Sequence, residues 1–188
     1  MKHCGNISGI WKITLDTGRE IHYSLAMVNK SYLTAITRKS LPVPVRWLIR
    51  RGDLIYGDVL DYGCGKCAEI NNQTFGRMEG VESITNYDPY YAPVVDDNKS
   101  YDTILCTYVL CALPKKAELP ILRNIQSLLK LKPGGMAFIS VRNDKPKNGH
   151  GYSSRGTFQR WVDIPYLRVL HKDSQARIYI LTRHSEIP

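Results

Sequence analysis

The sequence predicts an α/β fold built on a mostly parallel sheet, and three observations predict it. The first is the run Leu54-Ile55-Tyr56 and Asp58-Val59-Leu60 leading into Asp61-Tyr62-Gly63-Cys64-Gly65. An apolar run of this kind reads as a buried strand, and an acid just ahead of a Gly-x-Gly turn suits the end that faces a ligand. Gly63 and Gly65 let the chain turn and approach a ligand closely, because no Cβ stands in the way. The second is that the pattern returns. Ser83–Asp88 is a short strand ending in an acid 27 residues after Asp61, and Tyr101–Leu110 is a third apolar run. The third is the helical spacing of Leu119, Leu122, Ile125, Leu128 and Leu129, stopped by Lys132-Pro133-Gly134-Gly135 and followed by the strand Met136–Val141.

Taken in order, Ile10–Leu15 and Glu20–Leu25 alternate around Asp16-Thr17-Gly18 and predict an N-terminal β-hairpin. Val28–Ile36 supports either helix or strand. Pro42 and Pro44 introduce a short helix over Val45–Arg51. The strands and helix above form a Rossmann-like core over residues 53–142, with residues 1–52 as an extension. Residues 143–188 supply a substrate-side loop and a closing hairpin: Arg142–Tyr152 is rich in Gly, Pro and Lys and reads as loop. Tyr166–His171 and Arg177–Thr182 flank Lys172-Asp173-Ser174 and predict an antiparallel C-terminal hairpin. A chain of 188 residues is one domain with room for a substantial core.

Composition narrows the function. No apolar run reaches the ~18 residues of a membrane span, and the N-terminus lacks the apolar stretch of a signal peptide, so a cytoplasmic protein is expected. Five cysteines argue against a disulfide framework. Cys64, Cys67, Cys106 and Cys111 admit a zinc reading, but all four fall in segments already explained as strand tips. Small buried residues are the preferred reading and no metal is expected. Residues 1–114 hold 12 Lys/Arg against 12 Asp/Glu, and residues 115–188 hold 14 against 5, so the whole formal charge of +9 lies in the last part. Such asymmetry suggests an anionic partner, DNA or RNA above all, or else a solvated basic surface.

The ordered segments VLDYGCGKC, NYDP, YDTILCTYVLCALP and LLKLKPGGMAFISVR resemble the class I S-adenosylmethionine-dependent methyltransferases over about residues 55–142. The lead-in Leu33–Pro42 is similar to that of methyltransferases associated with DNA phosphorothioation and of small phage proteins. The resemblance implies S-adenosylmethionine as cofactor, held by Asp61, Gly63, Gly65 and Asp88, with Cys106 and Thr107 lining the pocket at the next strand tip. It also puts Tyr108 beside the transferred methyl group. Asp88 could instead be a turn carboxylate before Pro89, and Tyr108 a core aromatic. Two departures stand out. Cys67 replaces the family's third glycine, and only Tyr91–Ser100 fills the place of a further helix and strand, so that element is expected to be shortened or missing.

For the acceptor side, the segment Tyr152–Trp161 follows the last parallel strand and is dense in Arg, Gln and aromatic residues. Arg142, His150 and Arg155 are the substrate-binding candidates, and Gln159 and Arg160 join Tyr108 as catalytic candidates; the alternative is a loop that seals the sheet edge. Asp88-Pro89-Tyr90-Tyr91 mimics the motif of amino-group DNA methyltransferases but follows the wrong strand, and no Pro-Cys pair is present for attack on cytosine. The expected function is methyl transfer to an anionic acceptor, nucleic acid or a nucleotide. The alternatives are a small-molecule methyltransferase and a non-catalytic cofactor-binding accessory protein of a DNA-modification system.

Overall fold

The computed structural model describes residues 10–14, 20–24, 31–94, 99–131, 134–144, 150–152 and 156–188. The N-terminal hairpin is present as β1 (Ile10–Thr14) paired antiparallel with β2 (Glu20–Ser24), a sheet of its own. Pro44 in its first turn starts α1 (Val43–Ile49), because proline lacks only an N–H that is unpaired there anyway. Then follow β3 (Gly57–Tyr62), α2 (Ala68–Phe75), β4 (Val81–Tyr87), β5 (Thr103–Thr107), α3 (Glu118–Ser127) and β6 (Met136–Arg142). The chain closes with β7 (His150–Tyr152), β8 (Phe158–Arg160), β9 (Arg168–Lys172) and β10 (Ala176–Thr182). No helix among the described residues is long and apolar enough to cross a membrane.

The central sheet runs β4-β3-β5-β6-β10-β9. The first four strands are parallel, and β10 is antiparallel to both β6 and β9. The chain leaves β3 toward one edge and returns from β4 to the other side of β3. The crevice at the carboxyl ends of β3 and β5 is therefore the switch point where open α/β sheets hold ligands. Among the described residues no strand lies outside β4, as the short Tyr91–Ser100 connection led us to expect.

Alternation along β3 and β5 divides the core in two. Leu60, Tyr62, Ile104 and Cys106 pack toward α3, whereas Val59 and Leu105 face Phe75 of α2 and Leu48 of α1. The end of the sheet away from the crevice is closed by ions. Asp58 Oδ1 meets Lys99 at 3.0 Å, its Oδ2 meets Lys130 at 3.0 Å, and Lys130 also reaches Asp102 at 2.7 Å. Asp102 Oδ2 accepts the Asp58 N–H at 2.8 Å. A Cβ on Gly57 would lie 2.2 Å from the same Asp102 oxygen, so only glycine fits there.

Two expectations change. The helix expected to reach Leu131 stops at Ser127, because Tyr101 captures the chain: its N–H donates to the Leu128 carbonyl and its carbonyl accepts from Lys130. The loop read over Arg142–Tyr152 ends in a strand, since β7 and β8 pair antiparallel with Tyr152 opposite Phe158.

Candidate cofactor and acceptor clefts

Beyond Tyr62 the backbone turns at Gly63 (φ +85°) and again at Gly65 (φ +56°), conformations that cost a side-chain-bearing residue but not glycine. The Gly63 and Cys64 N–H groups both donate to the Tyr87 carbonyl, at 2.7 and 3.0 Å, which ties the loop to the tip of β4. A Cβ on Gly63 would stand 2.3 Å from Val109 Cγ2, filling the cradle. Cys67, at the place of the missing third glycine, is buried and leads straight into α2.

Two carboxylates face this cradle. Asp61 Oδ2 accepts from Asn71 Nδ2 at 2.6 Å, and Asn71 also donates to Asn86 at 2.7 Å. No cation pairs with Asp61 among the described residues. Burial pushes its carboxyl up to about 7, against the pull of the Asn71 hydrogen bond, and the Asp88 charge adds to the rise. Asp88 is tied differently. Its Oδ2 accepts from the Gly65 N–H at 3.1 Å, and its Oδ1 from the N–H groups of Tyr90 and Tyr91 at 2.9 and 3.0 Å. It is thus a turn carboxylate that also clamps the glycine loop. A carboxylate has about four acceptor positions, so one is left for a ligand hydroxyl.

The opposite wall is Thr107 and Tyr108 at the tip of β5. The Thr107 Oγ1 is buried with no hydrogen-bond partner among the described residues. Tyr108 adopts φ +64°, rare for a residue with a side chain, and its N–H donates to the Ser140 carbonyl at 2.8 Å. The segment Tyr32–Pro42 crosses over the cradle: Tyr32 stacks on Tyr90 with centroids 4.6 Å apart, and the Tyr91 hydroxyl donates to the Tyr32 carbonyl at 3.0 Å. A second cleft opens beside the first. Thr34, Ile36, Arg38, Tyr108 and Ala112 belong to both walls, and Arg142, Asp144, Gln159 and Gln175 line only the second.

Against this geometry stand the comparisons with known proteins. A family model described as a methyltransferase domain matches residues 37–178, three-quarters of the chain. The chain belongs to the methyltransferase-domain family. No curated protein sequence matches it. Among solved structures, the complex of DhpI with SAH is similar to this methyltransferase at 13% identity and a TM-score of 0.49, covering 83% of this chain and 94% of that one. The N-methyltransferase NodS from Bradyrhizobium japonicum, solved with S-adenosyl-L-homocysteine, shows 10% identity, a TM-score of 0.48, and coverage of 82% and 97%. The magnesium protoporphyrin IX methyltransferase ChlM of Synechocystis shows 14% identity, a TM-score of 0.38, and coverage of 74% and 76%.

The cleft fits S-adenosylmethionine, the cofactor that the resemblance to class I methyltransferases implies. The unpaired Asp61 carboxylate suits a cationic ligand, the orphaned Thr107 hydroxyl lacks a partner, and the glycine cradle admits close backbone approach. Five of the residues expected around the cofactor line this cleft: Asp61, Gly63, Gly65, Asp88 and Thr107. Cys106 does not. It is fully buried among Leu60, Ile104 and Ile139, because strand alternation turns it away from the side that Leu105 and Thr107 share. Tyr108, Arg142 and Gln159 come together at the second cleft. Arg160 is withdrawn from it: its Nη2 meets Glu118 at 2.7 Å and its Nε donates to the Leu113 carbonyl at 2.7 Å, so it is a buried structural cation. His150 is exposed on β7 against Phe158 rather than in the cleft, and Arg155 lies outside the described residues. Arg38 and Asn71 are site residues the sequence reading missed.

Proposed function

We propose that the protein transfers the methyl group of S-adenosylmethionine to an anionic acceptor of nucleotide size, free or within a nucleic acid, seated in the second cleft. The observation that carries this reading is the shared wall: Arg38 and Tyr108 border both clefts, so a molecule in the second abuts the cofactor in the first. The bound cofactor supplies a methyl group already activated on a sulfonium, so alignment by the protein supplies most of the rate. Burial raises the Tyr108 phenol above its ordinary value, which keeps it protonated near neutral pH, as a hydrogen-bond donor that orients the acceptor. Arg38 makes no ion pair among the described residues and so offers its charge to the acceptor's anionic group. The similarity of Leu33–Pro42 to phosphorothioation-associated methyltransferases points toward nucleic-acid chemistry as well.

A small-molecule acceptor is favoured by a different observation. Four cations of residues 115–188 are already met by acids, in the pairs Arg160–Glu118, Arg177–Asp163, Arg142–Asp144 and Lys130–Asp102, and Arg142 with its partner Asp144 lines the second cleft itself. Incubation with methyl-labelled cofactor plus host nucleic acid or a pool of free nucleotides tests the reading. Label in either confirms an anionic acceptor. Label in neither, from protein that binds the cofactor, overturns it in favour of an accessory protein or an unrelated small acceptor.

A further inference from the structure

The hairpin β7–β8 has a face that the cofactor and acceptor clefts do not use. In an antiparallel pair, directly opposed residues share a face, so Tyr152 and Phe158 lie together, and His150 and Arg160 lie on that same side. Gln159, on the other side, lines the acceptor cleft. The aromatic side forms a strip: His150 and Phe158 have ring centroids 6.4 Å apart, and Tyr152 meets Phe158 edge-on at 6.1 Å. Tyr152 is 69% exposed and His150 is exposed, although a large aromatic ring held open to water loses the hydrophobic gain of burial.

The strip ends against a basic turn. Arg160 holds the Leu113 carbonyl and the Glu118 carboxylate, and between those two anchors runs the turn carrying Lys115 and Lys116, both exposed. The buried ion pair thus fixes an open aromatic strip beside a turn with two exposed lysines, with the acceptor cleft one residue away on the opposite side of the hairpin. Flat faces for stacking next to cations for phosphates are what an unpaired nucleic-acid strand requires, whereas a duplex hides its base faces.

We propose that the β7–β8 hairpin is a stacking platform for single-stranded nucleic acid. Tyr152 receives the face of a base, and Lys115 and Lys116 contact the neighbouring phosphates. The proposal rests on the nucleotide reading of the acceptor and deepens it, by placing the methylated nucleotide in a strand whose flanking base stacks on the hairpin.

Fluorescence anisotropy with a labelled twelve-nucleotide single strand, DNA and RNA, and the matching duplex tests it, with S-adenosylhomocysteine calorimetry on the same samples. The expected result is preference for the single strand and a loss of roughly 5- to 150-fold in Tyr152→Ala, the range for one base stacked on an aromatic ring. Tyr152→Phe is expected to retain the affinity. Lys115→Gln with Lys116→Gln should make the salt dependence shallower by about 1 to 1.5 in log–log slope. All three should bind S-adenosylhomocysteine as the wild type does, so a failed cofactor reading would show separately. Equal retention of strand and duplex, an unchanged Tyr152→Ala, or displacement by polyglutamate equally from wild type and Tyr152→Ala would overturn the proposal.

Discussion

Strand β3 carries Asp58 at one end and Asp61 at the other, and the two ends of the sheet treat these carboxylates in opposite ways. Asp58 is met by the Ser83 hydroxyl, Lys130 and Lys99, which hold it well below the usual carboxylate range. Among the described residues Asp61 has only the Asn71 amide, and burial drives it up to about 7. Being three residues apart they project to opposite faces, which explains why the Lys130 beyond α3 serves one and the asparagine of α2 serves the other. One end spends its polar groups on each other and holds strands together. The other leaves a carboxylate, a hydroxyl and a guanidinium short of partners among the described residues, and such groups are what a cationic cofactor and an anionic acceptor can complete.

Four substitutions would break or sharpen that contrast. Asp102→Ala has the largest expected effect. It strips an acceptor from the Asp58 N–H and half the partners from Lys130, and should cost about 3 kcal/mol in urea unfolding while S-adenosylhomocysteine affinity stays within about twofold. An equal loss of affinity would mean the ends are not independent. Asp88→Ala should reverse the pattern, weakening cofactor binding by about 2 kcal/mol in calorimetry while stability falls by about 1 kcal/mol as three N–H groups lose their acceptor.

Asp61→Asn probes the pH window. A carboxyl raised in the folded state contributes stability below the unfolded value near 3.8 that is lost as pH rises through about 7. The ligand-free protein should lose stability across that range, and Asp61→Asn should flatten the decline and gain about 1 kcal/mol at pH 8 in thermal unfolding. Cofactor affinity in the wild type should rise with pH up to about 7, with proton release visible as a dependence of the binding heat on buffer. Asp58 should behave oppositely, its contribution lost only in acid. The smallest effect is expected for Lys99→Met, below about 1 kcal/mol, because the Lys99 side chain is 32% exposed and the pair is solvent-screened.

The parts of this molecule legible from sequence are those set by short-range rules. Apolar runs, the Gly-x-Gly turn and the spacing of acids located β3, β4, β5 and β6 and the cleft at their tips. The short Tyr91–Ser100 link announced that the sheet would end at β4. Cys106 was misplaced although the signal was available: Leu105 and Thr107 share one parity and Ile104 and Cys106 the other, and only one side meets the cofactor. Arg160 could not be sorted from sequence, since its partner Glu118 lies 42 residues earlier and no periodicity links them. Arg38 was hidden for the same reason, its place in both clefts depending on how the Tyr32–Pro42 segment crosses the sheet. Asn71 was nearer to hand, one helical stretch past the glycine loop and 10 residues from the acid it serves.

The early end of the sheet at β4 has a further consequence, for solubility. With no strand outside it among the described residues, the outer N–H and C=O groups of β4 offer a template on which another chain could extend the sheet. The strand reads Val-Glu-Ser-Ile-Thr-Asn-Tyr, placing an exposed Glu82 and three further polar residues in seven, and Lys99 donates to Ser83 at 3.0 Å along it. Charge and polarity on an uncovered edge discourage edge-to-edge association that a strand of valine and isoleucine would invite. Glu82→Val with Thr85→Val should leave cofactor binding intact yet bring on light scattering that grows with protein concentration, because a sheet with one strand fewer must guard its own margin.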